Sequence, residues 1–194
     1  GVSAAPLAGH LAALQAIAGR PFVFKGYYPS YFMSWICRHV PGSIFVMIRR
    51  DPTAQARSIV RARHAYMRDP QDWWSMLPPE HAELAGRSVV EQVAGQVFGL
   101  RRMFAEQMSA AGVRAVTVRY ERLMEDPESE VARIAEAVRR LTGMPLERRP
   151  GALSTAARPG SGDRPLEEPD ESALHSALRA VAGRDRPWPD EVSP

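Results

Sequence analysis

The chain has one cysteine, Cys37, and one lysine, Lys25, in 194 residues. A lone cysteine excludes an internal disulfide framework and a cysteine-ligated zinc site. It fits a reducing compartment. No stretch approaches the roughly 20 continuous apolar residues that a bilayer-spanning helix needs, so no membrane span is expected. The N-terminus, Gly-Val-Ser-Ala-Ala-Pro, lacks the basic start and apolar stretch of a signal peptide, and a cytoplasmic location is the expectation. The missing initiator Met leads us to expect that the sequence begins inside a longer protein. The five histidines, His10, His39, His64, His81 and His175, have no metal-ligand spacing, so no metal is expected.

What is present points to one ordinary domain spanning 1–194. Hydrophobic residues make up 45% of the chain, enough to fill a core. The net charge of +3 suits an anionic small ligand without demanding nucleic acid. A basic stripe of Arg57, Arg61, Arg63 and Arg68 is the best case for a nucleic-acid surface. The acidic residues elsewhere and the absence of a recognised motif argue against it, and no nucleic acid is expected. The basic residues other than Lys25 are 24 arginines. Such a bias follows from codon usage, but lysine offers what arginine does not, a compact ammonium with a movable proton.

The apolar periodicity alternates between strand and helix. Residues 5–18 read as a helix, with Leu7, Leu11, Leu14 and Ile17 at helical spacing and Gly19 as the stop. Phe22–Phe24 reads as a short strand ending at Lys25, and Ser30–His39 as a helix. Residues 44–48 read as a buried strand, and about 52 to 67 as a helix. A proline-punctuated connection fills 69–87. Ser88-Val-Val-Glu91 has capping-box spacing and opens a helix to about Ala111. Val113–Val118 is the third strand. Asp126-Pro127 opens a helix to about Leu141, stopped by Gly143. Residues 144–170 read as loop, and Ala173–Ala182 as a last helix. Three strands alternating with helices predict an α/β fold with a parallel sheet, thin for this length.

The segment Ile44-Phe-Val-Met-Ile-Arg-Arg-Asp-Pro-Thr-Ala-Gln-Ala-Arg-Ser58 carries the most chemistry. An apolar strand breaks at two arginines and restarts as a helix, with Asp51 at the N-cap and Pro52 at the first helical position. Arg50 falls at the carboxyl end of the strand, where open α/β sheets bind ligands. Its planar fork of donors matches phosphate oxygens, and Ser58, in the second turn, adds a hydroxyl.

With that spacing the chain resembles the sulfotransferase family, whose members move a sulfuryl group from 3′-phosphoadenosine-5′-phosphosulfate (PAPS) to an alcohol, phenol or amine. Residues 45–58 look like the family's 3′-phosphate-binding strand-turn-helix, which places that role on Arg50 and Ser58. Val116-Thr-Val-Arg-Tyr-Glu-Arg-Leu-Met-Glu-Asp-Pro127 is similar to the family's strand ending in Arg-Tyr-Glu, with Tyr120 beside the adenine. Lys25-Gly-Tyr-Tyr-Pro-Ser-Tyr-Phe32 looks like the strand-end lysine segment, with Lys25 near the sulfuryl group. The segments follow the family's order over about 22 to 140. Arg158-Pro-Gly-Ser-Gly-Asp163 faintly resembles the late loop that closes over the 3′-phosphate, through Arg158 and Gly160. The resemblance implies a P-loop-like parallel sheet flanked by helices, here truncated at its N-terminus. It also implies PAPS as co-substrate, no metal, and a small-molecule or carbohydrate acceptor, for which residues 66–87 are the candidate loop. Trp73-Trp74 within it reads first as a hydrophobic plug and second as a lining of an acceptor pocket.

Two departures qualify that expectation. The family's glycine-rich loop for the 5′-phosphosulfate does not occur among the residues before Lys25. The positions that usually hold the base, two after the lysine or one before it, carry Tyr27 and Phe24. Neutral tyrosine, with an ordinary pKa near 10, is a poor base at neutral pH. The base is unassigned, and a non-catalytic nucleotide-binding or regulatory domain stands as the alternative.

Overall fold

A computed structural model of the chain describes residues 5–19, 21–146, 164–183, 185, 188 and 191–192. The elements in order are α1 (Ala5–Ala18), a 3-10 turn (Tyr28–Phe32), α2 (Met33–His39), β1 (Phe45–Arg49), α3 (Pro52–Tyr66), α4 (His81–Leu84), α5 (Val89–Met108), β2 (Ala115–Arg119), α6 (Tyr120–Glu125), α7 (Pro127–Thr142), α8 (Asp170–Ala182) and β3 (Glu191–Val192). The fold is mixed α/β, with two parallel strands flanked by helices, in keeping with the class that the alternation predicts.

β1 and β2 pair in parallel from Phe45↔Ala115 to Arg49↔Arg119. Parallel neighbours need a long crossover, and α3, α4 and α5 supply it. β2 is buried from Ala115 to Val118 and carries the centre of the sheet. α5 is the hub. Its capping box is complete: the Ser88 backbone N donates to Glu91 Oε2 (3.0 Å), and the Glu91 backbone N donates to Ser88 Oγ (3.4 Å). One core joins α5 to α3 and α8 through Ala56, Val60, Val93, Val97, Phe98 and Leu174. A second joins it to the sheet through Met33, Met47, Ala105, Met108, Val113 and Trp188. Gly99 lies where a Cβ would come within 2.5 Å of Glu80 Oε2 and 3.0 Å of Pro78 Cβ, so a larger residue there would force Glu80 and Pro78 to shift away from α5.

The third strand differs from expectation. Phe22–Phe24 forms no strand and belongs to no ladder, and Val23 is 96% exposed. The place beside β2 is taken by Glu191–Val192, which runs antiparallel to it. A strand exists only where another edge satisfies its backbone groups, and a three-residue apolar run does not reveal its neighbour. α1 forms as the periodicity predicts, yet Leu7, Leu14 and Ile17 are exposed, so its apolar spacing does not mark a covered face among the described residues. The 69–87 connection contains the short α4, and the last helix starts at Asp170 instead of Ala173. α6 follows β2 without a break, an element the sequence reading lacks. Among the described residues no helix is long and apolar enough to cross a membrane.

Candidate functional site

The parallel register brings the carboxyl ends of β1 and β2 level, with Arg49 opposite Arg119. The next residue of each strand is therefore adjacent to its counterpart. Arg50 lies over the ring of Tyr120, its guanidinium carbon 4.6 Å from the ring centre. Facing an aromatic surface, a guanidinium is held in orientation.

The turn into α3 is built locally. Asp51 caps the helix, its carboxylate accepting from the Ala54 backbone N at 2.8 Å, and Pro52 supplies the first helical residue. Ser58 is half-buried on α3. Spacing of three and then four residues places Asp51, Ala54 and Ser58 along one face of the helix. The amino end of α3 begins beside Arg50, but Asp51 takes the Ala54 N–H, Pro52 has none and the Gln55 N–H bonds the Asp51 carbonyl, so it is chiefly Arg50 that suits this corner to an anion.

Two residues absent from the sequence reading's site hold this corner together. Glu121 Oε1 accepts from the Asp51 backbone N at 2.8 Å and ties the exit of β2 to the exit of β1. Arg101, buried on α5, donates from Nη1 to the Arg50 carbonyl (3.4 Å). Its Nε and Nη2 engage both oxygens of Asp185 at 3.0 and 2.7 Å. The indole N–H of Trp188 donates to the Arg101 carbonyl at 2.9 Å. Glu121 had a visible signal, because it follows Tyr120 in the Arg-Tyr-Glu motif. Arg101 had none, since an arginine in a long helix reads as surface.

Other expected residues do not join the cluster. Lys25 is exposed, at the end of the unpaired Phe22–Phe24 segment, and no hydrogen bond or ring contact among the described residues links it to Arg50 or Tyr120. Arg158 and Gly160 lie outside the described residues. No group of His, Cys, Asp and Glu able to hold a metal occurs among the described residues.

The arginines considered as a basic stripe are engaged inside the molecule. Arg57 pairs with Glu171 of α8, donating from Nε at 3.0 and 3.2 Å and also from Nη2. Arg61 donates to the carbonyls of Arg164 and Pro165. Arg63 is fully buried between α3 and α5. Only Arg68 of the four is exposed. These contacts tie α3 to α5, to α8 and to residues 164–165, and leave no continuous cationic stripe among Arg57, Arg61 and Arg63.

A family model described as "Sulfotransferase family" matches residues 11–140, more than half of the chain. No curated protein and no solved structure gives a match. The matched span contains β1, β2, the turn into α3 and the Arg50–Tyr120 corner, and the chain belongs to the sulfotransferase family.

Proposed function

We propose that the chain is a sulfotransferase domain that takes PAPS as sulfuryl donor and transfers the group to a hydroxyl or amine. The observation that carries this reading is Arg50 stacked on Tyr120 at the level carboxyl ends of two parallel strands, beside the amino end of α3. A donor-rich guanidinium fits a 3′-phosphate, and an aromatic ring fits an adenine. Ser58 adds a hydroxyl to the phosphate side. Lys25 is assigned to the sulfuryl oxygens on the family resemblance, as are Arg158 and Gly160 to closure over the 3′-phosphate. The acceptor, a small molecule or carbohydrate, lies against the 66–87 connection with Trp73 and Trp74.

In the reaction the acceptor oxygen or nitrogen bonds to sulfur while the sulfur–oxygen bond to the nucleotide phosphate breaks. The acceptor's proton leaves to a base, and adenosine 3′,5′-bisphosphate departs. The protein's share of such a transfer is positioning and charge stabilisation. Arg50 does both at the end of the donor remote from sulfur, where binding energy orients the reacting group.

Arg50→Ala tests the assignment. A charge-assisted contact contributes about 1.5–3 kcal/mol, so affinity for adenosine 3′,5′-bisphosphate should fall about ten- to a hundredfold. Affinity for adenosine 5′-monophosphate, which lacks the 3′-phosphate, should barely change. Equal losses for both nucleotides refute the role. A second reading, a nucleotide-binding domain without catalysis, is favoured by Tyr27 and Phe24 at the base positions. Tight nucleotide binding with no transfer of labelled sulfate from PAPS to a panel of phenols, alcohols and amines would establish it.

A further inference from the structure

Arg63 heads the fully buried side chains in volume, and among the described residues it is a cation without an anion. Nη1 donates to Gln92 Oε1 at 2.7 Å and Nη2 to Gln96 Oε1 at 3.0 Å. The guanidinium carbon stands 4.6 Å from the centre of the Trp73 ring. Among the described residues no carboxylate pairs with it, and Nε has no acceptor. Burial pushes its pKa down from the ordinary arginine value. An apolar side chain would avoid that desolvation, so the cation needs a reason.

The reason lies in the two amides. Arginine only donates, so each glutamine must turn its oxygen toward Arg63 and its NH2 away. Gln92 Nε2 then donates to Gln71 Oε1 (2.8 Å) and to the Arg87 carbonyl (3.2 Å). Gln96 Nε2 donates to the carbonyls of Trp74 and Met76, both at 2.7 Å. Between those carbonyls sits Ser75, with φ at 69°, the one described non-glycine residue with positive φ. A serine in the left-handed region persists only where its surroundings over-determine it. One buried guanidinium thereby sets the direction of two amides, and the amides clasp a strained turn.

We propose that Arg63 is a positioning residue for the acceptor side of the site: acting through Gln92 and Gln96, it holds residues 71–76 in one conformation against the helix that carries Ser58. This rests on the reading of the 66–87 connection as acceptor-binding. Arg63 touches neither donor nor acceptor. It fixes the distance between the wall that faces the acceptor and the helix that faces the donor.

The test compares the wild-type chain with Arg63→Met and Arg63→Lys. Methionine fills similar space but leaves both amides free to flip, whereas lysine is again a pure donor and keeps their direction. In Arg63→Met, amide hydrogen exchange across 71–77 should rise about tenfold or more as that segment opens locally, while exchange in the core of α5 rises less than about twofold. Emission from Trp73 and Trp74 should shift toward that of solvated indole. Arg63→Lys should recover half or more of the lost protection. Affinity for adenosine 3′,5′-bisphosphate should stay within about twofold in both variants, because the Arg50 corner is untouched. Equal acceleration in α5 and the connection, or no rescue by lysine, overturns the proposal. A wild-type chain that fails to bind the bisphosphate refutes the sulfotransferase reading instead, and the exchange pattern still decides whether Arg63 holds the turn.

Discussion

Replacing Glu171 by glutamine unfastens α8 from α3, the helix that presents Ser58. Glu171 accepts two hydrogen bonds from Arg57 Nε, at 3.0 and 3.2 Å, and another from Nη2. It also accepts from the Leu166 backbone N (2.7 Å) and contacts His175 Nε2 (2.9 Å). The side chains are 18% and 12% exposed for Arg57 and Glu171, so water screens the pair only in part. The Arg57 hydrogen bonds, chiefly, pull the Glu171 pKa from 4.5 down to about 2, against the opposing effect of burial. A carboxyl that is the stronger acid when folded stabilises the protein above its unfolded pKa. That contribution is lost as pH falls through the folded value. At 1.36 kcal/mol per tenfold change in proton affinity the gap corresponds to about 3 kcal/mol, and residual screening lowers the expectation to about 2 kcal/mol. Urea unfolding of wild type and Glu171→Gln should therefore differ by about 2 kcal/mol at pH 7, and the gap should close between about pH 5 and pH 2. A difference that is unchanged from pH 7 to pH 2 would mean that the clasp acts by packing alone, and would refute the electrostatic account.

Other outcomes follow from the same geometry. Gly99→Ala should destabilise by about 1–3 kcal/mol although alanine is the better helix former, because its Cβ meets Glu80, which pairs with Arg102, and the less mobile Pro78; a higher melting temperature would refute this. Ser88→Ala should cost about 1 kcal/mol in thermal unfolding, since it removes the hydroxyl that caps the Glu91 backbone N. An unchanged melting temperature would show that the capping box adds nothing to α5.

The local devices of this fold are written in short stretches of sequence. Asp51-Pro52 and Asp126-Pro127 start helices because a capping carboxylate and a fixed φ act within one turn. Ser88 and Glu91 do the same by reciprocal hydrogen bonds. The apolar run before Arg49 is long enough for a strand and too short for a helix, but its expected burial is not met: Val46 and Ile48 are exposed and only Met47 of β1 is buried. The helix-start signals need no distant partner, so the sequence alone determined the turn into α3 and the start of α5, and the strand–helix alternation marked the α/β class, whereas β1 became a strand by pairing with β2.

Whatever depends on a distant partner was settled only in three dimensions. Phe22–Phe24 has the composition of a strand, yet Glu191–Val192 occupies the edge of β2, because pairing follows the available neighbour and not the run itself. The meeting of Arg50 with Tyr120 required the register Arg49↔Arg119 across a crossover of three helices. Arg63 shows the limit most clearly. Ala56, Val60 and Arg63 recur on one face of α3, so the spacing marks position 63 as inward, but an arginine there reads as surface. Only the side chains arriving from α5 and the 69–87 connection, Gln92, Gln96 and Trp73, make its burial tolerable, and the physical reason is that a buried charge is stabilised by groups the chain brings in from elsewhere.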